Sequence, residues 1–159
     1  IASVKALDFV DDKKIGIWAH SNGGQIALSV GEILGERIPM VLWAPMTNPF
    51  PASVLETVDD LDDGGKAVKE AISDFEKHYD IRRYAFENYY DWVNFPLIIH
   101  QGTADYWCKM EWQKEVEREL IKRNKTIKLY QWKGDDHNLS RNWEEIVKLD
   151  AKFFLREFE

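Results

Sequence analysis

Cysteine is nearly missing from this chain. Its 159 residues include Cys108 and no other, so no internal disulfide can form and a disulfide-stapled secreted scaffold is excluded. No apolar run approaches the ~20 residues of a membrane-spanning helix. No positively charged segment followed by an apolar stretch opens the chain, so no signal peptide is read there and a cytoplasmic location is expected. Basic residues are outnumbered: 21 Lys and Arg stand against 28 Asp and Glu, for a formal net charge of -7. Without a clustered basic run, the chain is a poor candidate for nucleic-acid binding. Internal repeats and low-complexity tracts are missing too. Against these absences stands a composition that is 45% apolar and 13% aromatic, far too apolar for disorder and long enough to close one core.

The apolar pattern alternates along the chain. Residues 3–10 read as the end of a helix. Residues 15–19 (IGIWA), 39–43 (PMVLW), 96–100 (PLIIH) and 126–132 read as strands. Three of these are almost continuously apolar, as a sheet covered on both faces requires. Residues 21–34 read as a helix with Ile26, Leu28, Val30, Ile33 and Leu34 as its apolar positions and Gly35 at its end. Residues 111–123 form a second, with Trp112, Val116, Leu120 and Ile121 at near four-residue steps. Residues 142–158 form a third, with Trp143, Ile146, Val147, Phe154, Leu155 and Phe158 as its inner stripe. Asn142 followed by Glu145 resembles a capping box at its start. Strands alternating with helices imply the α/β class, a parallel sheet of about four strands flanked by helices.

Residues 46–95 break the alternation. They hold an acidic run (59–63), a helical pattern on Val68, Ala71, Ile72 and Phe75, and an aromatic stretch (79–92). The expectation is a helical lid inserted within a single domain that spans residues 1–159. The aromatic stretch either lines a pocket or packs the insertion onto the core. The acidic run lacks the twelve-residue EF-hand pattern and its closing Glu; it reads as a solvated loop, with calcium binding as the alternative.

The chemistry concentrates at three turns. Ala19-His20-Ser21-Asn22-Gly23-Gly24 lies between an apolar strand and a helical pattern. A tight strand-to-helix turn forces its central serine into strained backbone angles and demands small neighbours. It also points the serine out at the amino end of a helix, where N–H groups and the dipole favour an anion. A serine hydroxyl needs a base, and the base an orienting acid. Gly102-Thr103-Ala104-Asp105 follows the third strand, and Gly134-Asp135-Asp136-His137 follows the fourth. Both fall where parallel sheets place their sites, at the carboxyl ends of strands. Taken singly, Ser21 equally suits a helix N-cap, Asp105 a turn cap and His137 a surface loop. Asp135 and Asp136 offer alternative acids. His20 is adjacent to Ser21, but neighbouring side chains at a tight turn point apart, which favours packing. His100 reads as a core histidine, His78 as exposed and Cys108 as a small apolar filler.

The order Ser, acid, His on these turns resembles the catalytic half of an α/β-hydrolase. It is most similar to the dienelactone hydrolase and prolyl-oligopeptidase-like serine hydrolases and their feruloyl-esterase-like relatives with a helical lid. The resemblance implies Ser21 as nucleophile, Asp105 as acid and His137 as base. It implies the Asn22 backbone N–H as one oxyanion donor. Trp107, two residues after the acid, is the best candidate for a pocket wall, and His20 and Tyr106 are further candidate substrate contacts. It implies no metal and no cofactor. Its activity is hydrolysis of a small carboxylic ester with a short or aromatic acyl group through an acyl-enzyme. The alternatives are hydrolysis of short peptides, or a weakly catalytic piece that binds a partner chain. Two departures stand out. Tyr106-Trp107-Cys108 replaces a common Val-Pro pair after the acid. The family's first strands, one of whose loops gives a second oxyanion donor, have no counterpart before residue 15. The strand at 15–19 is therefore expected at an edge, covered by a second copy in a homodimer or by residues outside this chain.

Overall fold

Four strands lie side by side in chain order: β1 (Ile17–His20), β2 (Met40–Trp43), β3 (Leu97–Gly102) and β4 (Ile127–Trp132). Every pairing is parallel, with Ala19 beside Leu42, Leu42 beside Ile99, and His100 beside Tyr130. The computed structural model describes residues 1–56, 58 and 61–159. Parallel neighbours need crossovers, and helices supply them: α2 (Asn22–Leu34) joins β1 to β2 and α5 (Met110–Lys122) joins β3 to β4. α6 (Trp143–Glu157) follows β4. Among the described residues, no helix is long and apolar enough to cross a membrane.

The two-residue period of the strands sorts their side chains onto two faces. Met40, Leu42, Leu97, Ile99 and Leu129 face α2 and α5, meeting Ala27, Leu28, Val116 and Leu120. Val41, Trp43 and Ile98 face the other way, onto Ile146 and Phe153 of α6. β2 and β3 are buried along their whole length, while β1 is partly exposed throughout and β4 alternates, so the middle of the sheet is the core and its sides are edges. At the β1 edge Trp18 remains half exposed.

Three elements differ from the sequence expectation, each for a packing reason. The expected helix at 3–10 is a single turn, α1 (Ala2–Lys5). The Asp11 carboxylate then accepts the Lys13 N–H, the local bonding by which aspartate competes with helix. α2 buries Gly24, Ala27, Leu28, Gly31 and Glu32 rather than the full apolar stripe, leaving Ile26 and Ile33 on the surface. Small residues win because the helix lies very close to its neighbours. A Cβ on Gly24 would stand 2.3 Å from Pro45, and one on Gly31 would stand 2.5 Å from Phe95. α6 buries Ile146, Asp150 and Phe153, while Trp143, Val147 and Leu155 are exposed. Asp150 belongs inside because the Trp43 indole N–H donates to it at 2.8 Å. Asn142 makes no capping bond from its side chain; its amide donates instead to Asp135, so the expected capping box is not formed.

Between β2 and β3 the chain is helical. It forms α3 (Ala52–Leu55), α4 (Lys66–His78) and two 3₁₀ helices, Ile81–Tyr84 and Phe86–Trp92. Phe86 and Tyr90 bury themselves in the core against α2, so part of the aromatic stretch anchors this segment. Phe75 meets Phe50, Tyr79 and Tyr84 within the segment. Asp59 and Asp60, two of the four aspartates in the acidic run read as a solvated loop, lie outside the described residues. Asp63 accepts the Gly65 and Ala67 N–H groups at 2.9 Å and so caps the start of α4.

Candidate active site

The carboxyl ends of β1, β3 and β4 bring Ser21, Asp105 and His137 to one edge of the sheet. Ser21 has φ 53° and ψ -125°, a left-handed conformation that side chains other than glycine rarely adopt. The backbone around it fixes that strain: Ser21 N–H donates to Trp43 O at 3.0 Å, and Ser21 O accepts from Gly24 and Met46. The serine stands at the N-cap position of α2, yet its hydroxyl makes no capping bond. It makes no hydrogen bond to His137 either among the described residues. Catalytic hydrogen bonds are often open before substrate arrives. Asn22, the first residue of α2, presents a backbone N–H where the helix offers it no acceptor.

His137 and Asp105 are joined: Nδ1 lies 3.0 Å from Asp105 Oδ2. The Asp105 side chain is fully buried and that of His137 is 18% exposed. Burial works against the Asp105 charge. Hydrogen bonds from His137, from the Cys108 N–H and from Gln101 outweigh it and hold the carboxyl below its ordinary range. One oxygen takes the Trp107 and Cys108 N–H groups at 2.8 and 3.0 Å, and the other takes Gln101 Nε2 at 2.8 Å. A carboxylate so bonded stays ionised and cannot turn away from the imidazole. A carboxylate accepts, so His137 Nδ1 donates and Nε2 is left free to accept a proton.

The loop carrying His137 is held from two sides. Asp135, fully buried, accepts from Asp136 N–H, Arg141 N–H, Asn142 N–H and the Asn142 side chain. Asp136 accepts from Asn138 and Ser140. Neither carboxylate reaches the His137 ring, so neither is the alternative acid. His20 donates its Nε2–H to the His137 carbonyl at 3.0 Å, with the two rings 4.7 Å apart; it braces the loop from beneath. A Cβ at position 102 would lie 2.4 Å from the Asp135 carbonyl, so only glycine lets the end of β3 pass this loop.

Tyr106 is 83% exposed and Trp107 is 42% exposed, their rings edge to face at 5.4 Å beside the His137–Asp105 pair. A cavity of about 190 Å³ opens next to the elbow, lined by Asn22, Gln25, Val54, Val58, Leu61 and Val68. Four of its walls are aliphatic, beside the polar Asn22, Gln25 and Ser53, and most of them come from residues 46–95. The aromatic stretch at 79–92 does not line it. Cys108 is fully buried, and burial, then Asp105 and Glu56, push its thiol up to about 12. Asp105, Cys108 and His137 place ligand atoms within 4.8 Å of one another, but a thiol that keeps its proton is a poor metal ligand. Sequence reasoning missed Gln101, whose signal was a polar residue closing an apolar strand, and read Asp135 as an alternative acid where the structure makes it the anchor of the His137 loop.

No family model matches the sequence, and no curated protein matches it in sequence. Solved structures do match. Porphyromonas gingivalis dipeptidyl peptidase 4 superposes with TM-score 0.74 at 18% identity, over 98% of this chain and 21% of that one. Pyrococcus horikoshii acylaminoacyl peptidase gives TM-score 0.70 at 21% identity, over 92% of this chain and 24% of the other. Est1E from Butyrivibrio proteoclasticus, in a structure with ferulic acid bound, gives TM-score 0.70 at 20% identity, over 98% of this chain and 64% of Est1E. The fold is therefore that of the α/β-hydrolases. The chain spans about a fifth to a quarter of the peptidase chains and less than two thirds of the esterase.

Proposed function

We propose that the chain is a serine hydrolase of carboxylic esters with a short acyl or aromatic acyl group. The observation that carries the reading is Ser21: a strained residue whose hydroxyl is free of the capping bond its position offers. His137 Nε2 takes the proton from Ser21 Oγ as Oγ attacks the ester carbonyl. Asp105, on Nδ1, holds the ring's tautomer and stabilises the imidazolium. The Asn22 N–H, at the positive end of α2, bonds the tetrahedral oxyanion. His137 then protonates the departing alkoxide. It next activates the water that attacks the acyl-enzyme, releasing the acid and free Ser21.

The small cavity beside Asn22, with Val54, Val58, Leu61 and Val68 in its walls, suits a short acyl chain, and the exposed Tyr106–Trp107 pair suits an aryl group. Residues 46–95 act as the lid over that cavity. The likeness to Est1E supports the ester reading. The likeness to the two peptidases favours a second reading, a hydrolase of short peptides. A third is a weakly active piece that binds a partner chain; an oxyanion site with one donor instead of two is slower by about 10²–10³. The β1 edge, with Trp18 half exposed, is covered in solution by a second copy or by residues outside this chain.

The test is hydrolysis of a p-nitrophenyl ester chain-length series beside aminoacyl p-nitroanilides, each run with Ser21→Ala as control. Ester turnover that vanishes in the variant, and falls as the acyl chain outgrows the cavity, supports the reading. Turnover of the anilides alone moves it to the peptidase. Activity equal in both proteins overturns both.

A further inference from the structure

α2 contains one acidic side chain, Glu32, and everything local works against its charge. It sits in the last turn, where the helix dipole is negative. It is 3% exposed, and its Oε1 has no hydrogen-bond partner. Buried carboxylates are normally paired, so an orphan calls for a reason. Glu32 plays no part in the elbow: eleven residues along the helix set it about 16 Å from Ser21.

Glu32 borders a cavity of about 460 Å³ with Arg83, Tyr84, Phe86, Tyr89 and Trp92 around it. That volume lies within the roughly 300–1,000 Å³ of small-molecule sites. Four of these walls are aromatic. Tyr89 and Trp92 lie 4.7 Å apart, and the Tyr89 hydroxyl is fixed by donating to the Arg83 carbonyl at 2.8 Å. Arg83 lines the same space, yet Glu32 Oε1 stays unpaired. A second cavity of about 470 Å³, against Ile26, Phe50, Val54 and Phe75, shares Ser29, Ile33 and Tyr84 with the first and extends it with apolar surface.

We propose that this cavity binds a primary organic ammonium ion with an aryl or alkyl tail, its N–H groups on the Glu32 carboxylate and its charge against the rings of Tyr84, Tyr89 and Trp92. The alternatives fit less well. An anion would face the carboxylate. A neutral apolar molecule would leave it without a partner. A hard metal ion needs six or more oxygens and finds one carboxylate here. An ammonium satisfies the orphan oxygen and gains from the aromatic walls together.

Burial pushes Glu32 up to about 8 without such a partner, so binding at neutral pH releases its proton to solvent. The groups facing it are Arg83, Tyr84 and Tyr89 from the two 3₁₀ helices, and Tyr90. Burial, then Glu87 and Glu32, push the Tyr90 phenol up, so it stays neutral; Glu115 and Arg123 of the neighbouring α5 region act on it too.

The experiment is calorimetric titration of the whole chain at about pH 9 with 2-phenylethylammonium, N-acetyl-2-phenylethylamine and phenylacetate. The ammonium should bind at least about tenfold more tightly than the other two, the scale of a charge-assisted hydrogen bond. Glu32→Gln should weaken it about tenfold or more, and Trp92→Ala about threefold. Arg83→Ala should leave it equal or tighter. Equal affinity for the acetylated compound, no heat at all, or unchanged binding in Glu32→Gln each overturns the proposal. Should Glu32→Gln not fold, the wild type decides. Affinity for the ammonium must fall about tenfold per unit from pH 8 to 6, and a flat profile overturns the site.

Discussion

Among the described residues stand two histidine–aspartate pairs, built from the same parts with opposite surroundings. His137 and Asp105 meet on loops at the carboxyl edge of the sheet, with His137 partly open to solvent. His100, at the carboxyl end of β3, lies 2.9 Å from Asp150 of α6, off the line a hydrogen bond needs, and is fully buried. Its Nδ1 accepts the Trp132 indole N–H at 3.0 Å, and its ring stacks on Tyr130 at 5.0 Å. Asp150 in turn accepts from Trp43. The first pair keeps one ring nitrogen free beside a strained serine; the second is walled in by aromatic rings. A histidine beside an aspartate is thus no catalytic claim by itself. What separates the two is access: one ring is partly open to solvent at the sheet edge that carries Ser21, the other is sealed, and that is decided by which element covers the ring.

The sharpest way to break the comparison is to disable each pair in turn. Ser21→Ala or His137→Ala should lower ester kcat/KM by about 10⁴-fold or more, with urea midpoints close to wild type. Asp150→Ala should do the reverse. Removing one partner from a buried polar network costs about 3–5 kcal/mol in urea denaturation, while kcat of the folded fraction stays within about threefold. Loss of activity without loss of stability in Asp150→Ala would sink the division.

A pH series sharpens the same contrast with carboxylates. Asp105, held below its ordinary range, adds stability that is present at neutral pH and is lost as pH falls through its lowered value. Glu32 has the opposite sign. Its folded value of about 8 lies above the ordinary 4.5, so the folded state holds the extra proton and stability declines as pH rises between those values. Urea midpoints at about pH 5, 7 and 9 should show this decline in the wild type and a flatter profile in Glu32→Gln. The smallest effect is expected from His20→Phe. Losing the bond to the His137 carbonyl should cost about tenfold in kcat/KM or less, one neutral hydrogen bond's worth, with little change in KM.

Much of this was legible in the sequence. β2 and β3 were near-continuous apolar runs because both of their faces are covered, and the turn around Ser21 was bounded by a strand and a helical pattern. Asp105 and His137 were placed by their position after strands, and the structure brings them into contact. Other features were not legible. Glu32 and Asp150 are acidic residues on amphipathic helices, which sequence patterns assign to the surface. Both are buried because of partners or cavities contributed by distant segments. Ile26 and Ile33 read as core and lie outside, because α2 approaches its neighbours through Gly24 and Gly31.

Local matters were written in the chain: the strand–helix alternation, the tight turn that strains Ser21 and the order of the three candidate site residues. These follow from backbone sterics and apolar periodicity, which act over a few residues. The tertiary structure alone decided which histidine is open and which is sealed, which carboxylate is bonded and which is orphaned, and which helix face is inside. Those depend on contacts between segments far apart in the chain, and burial with partnering, rather than residue type, sets whether a charged group is held, silenced or left to meet a ligand.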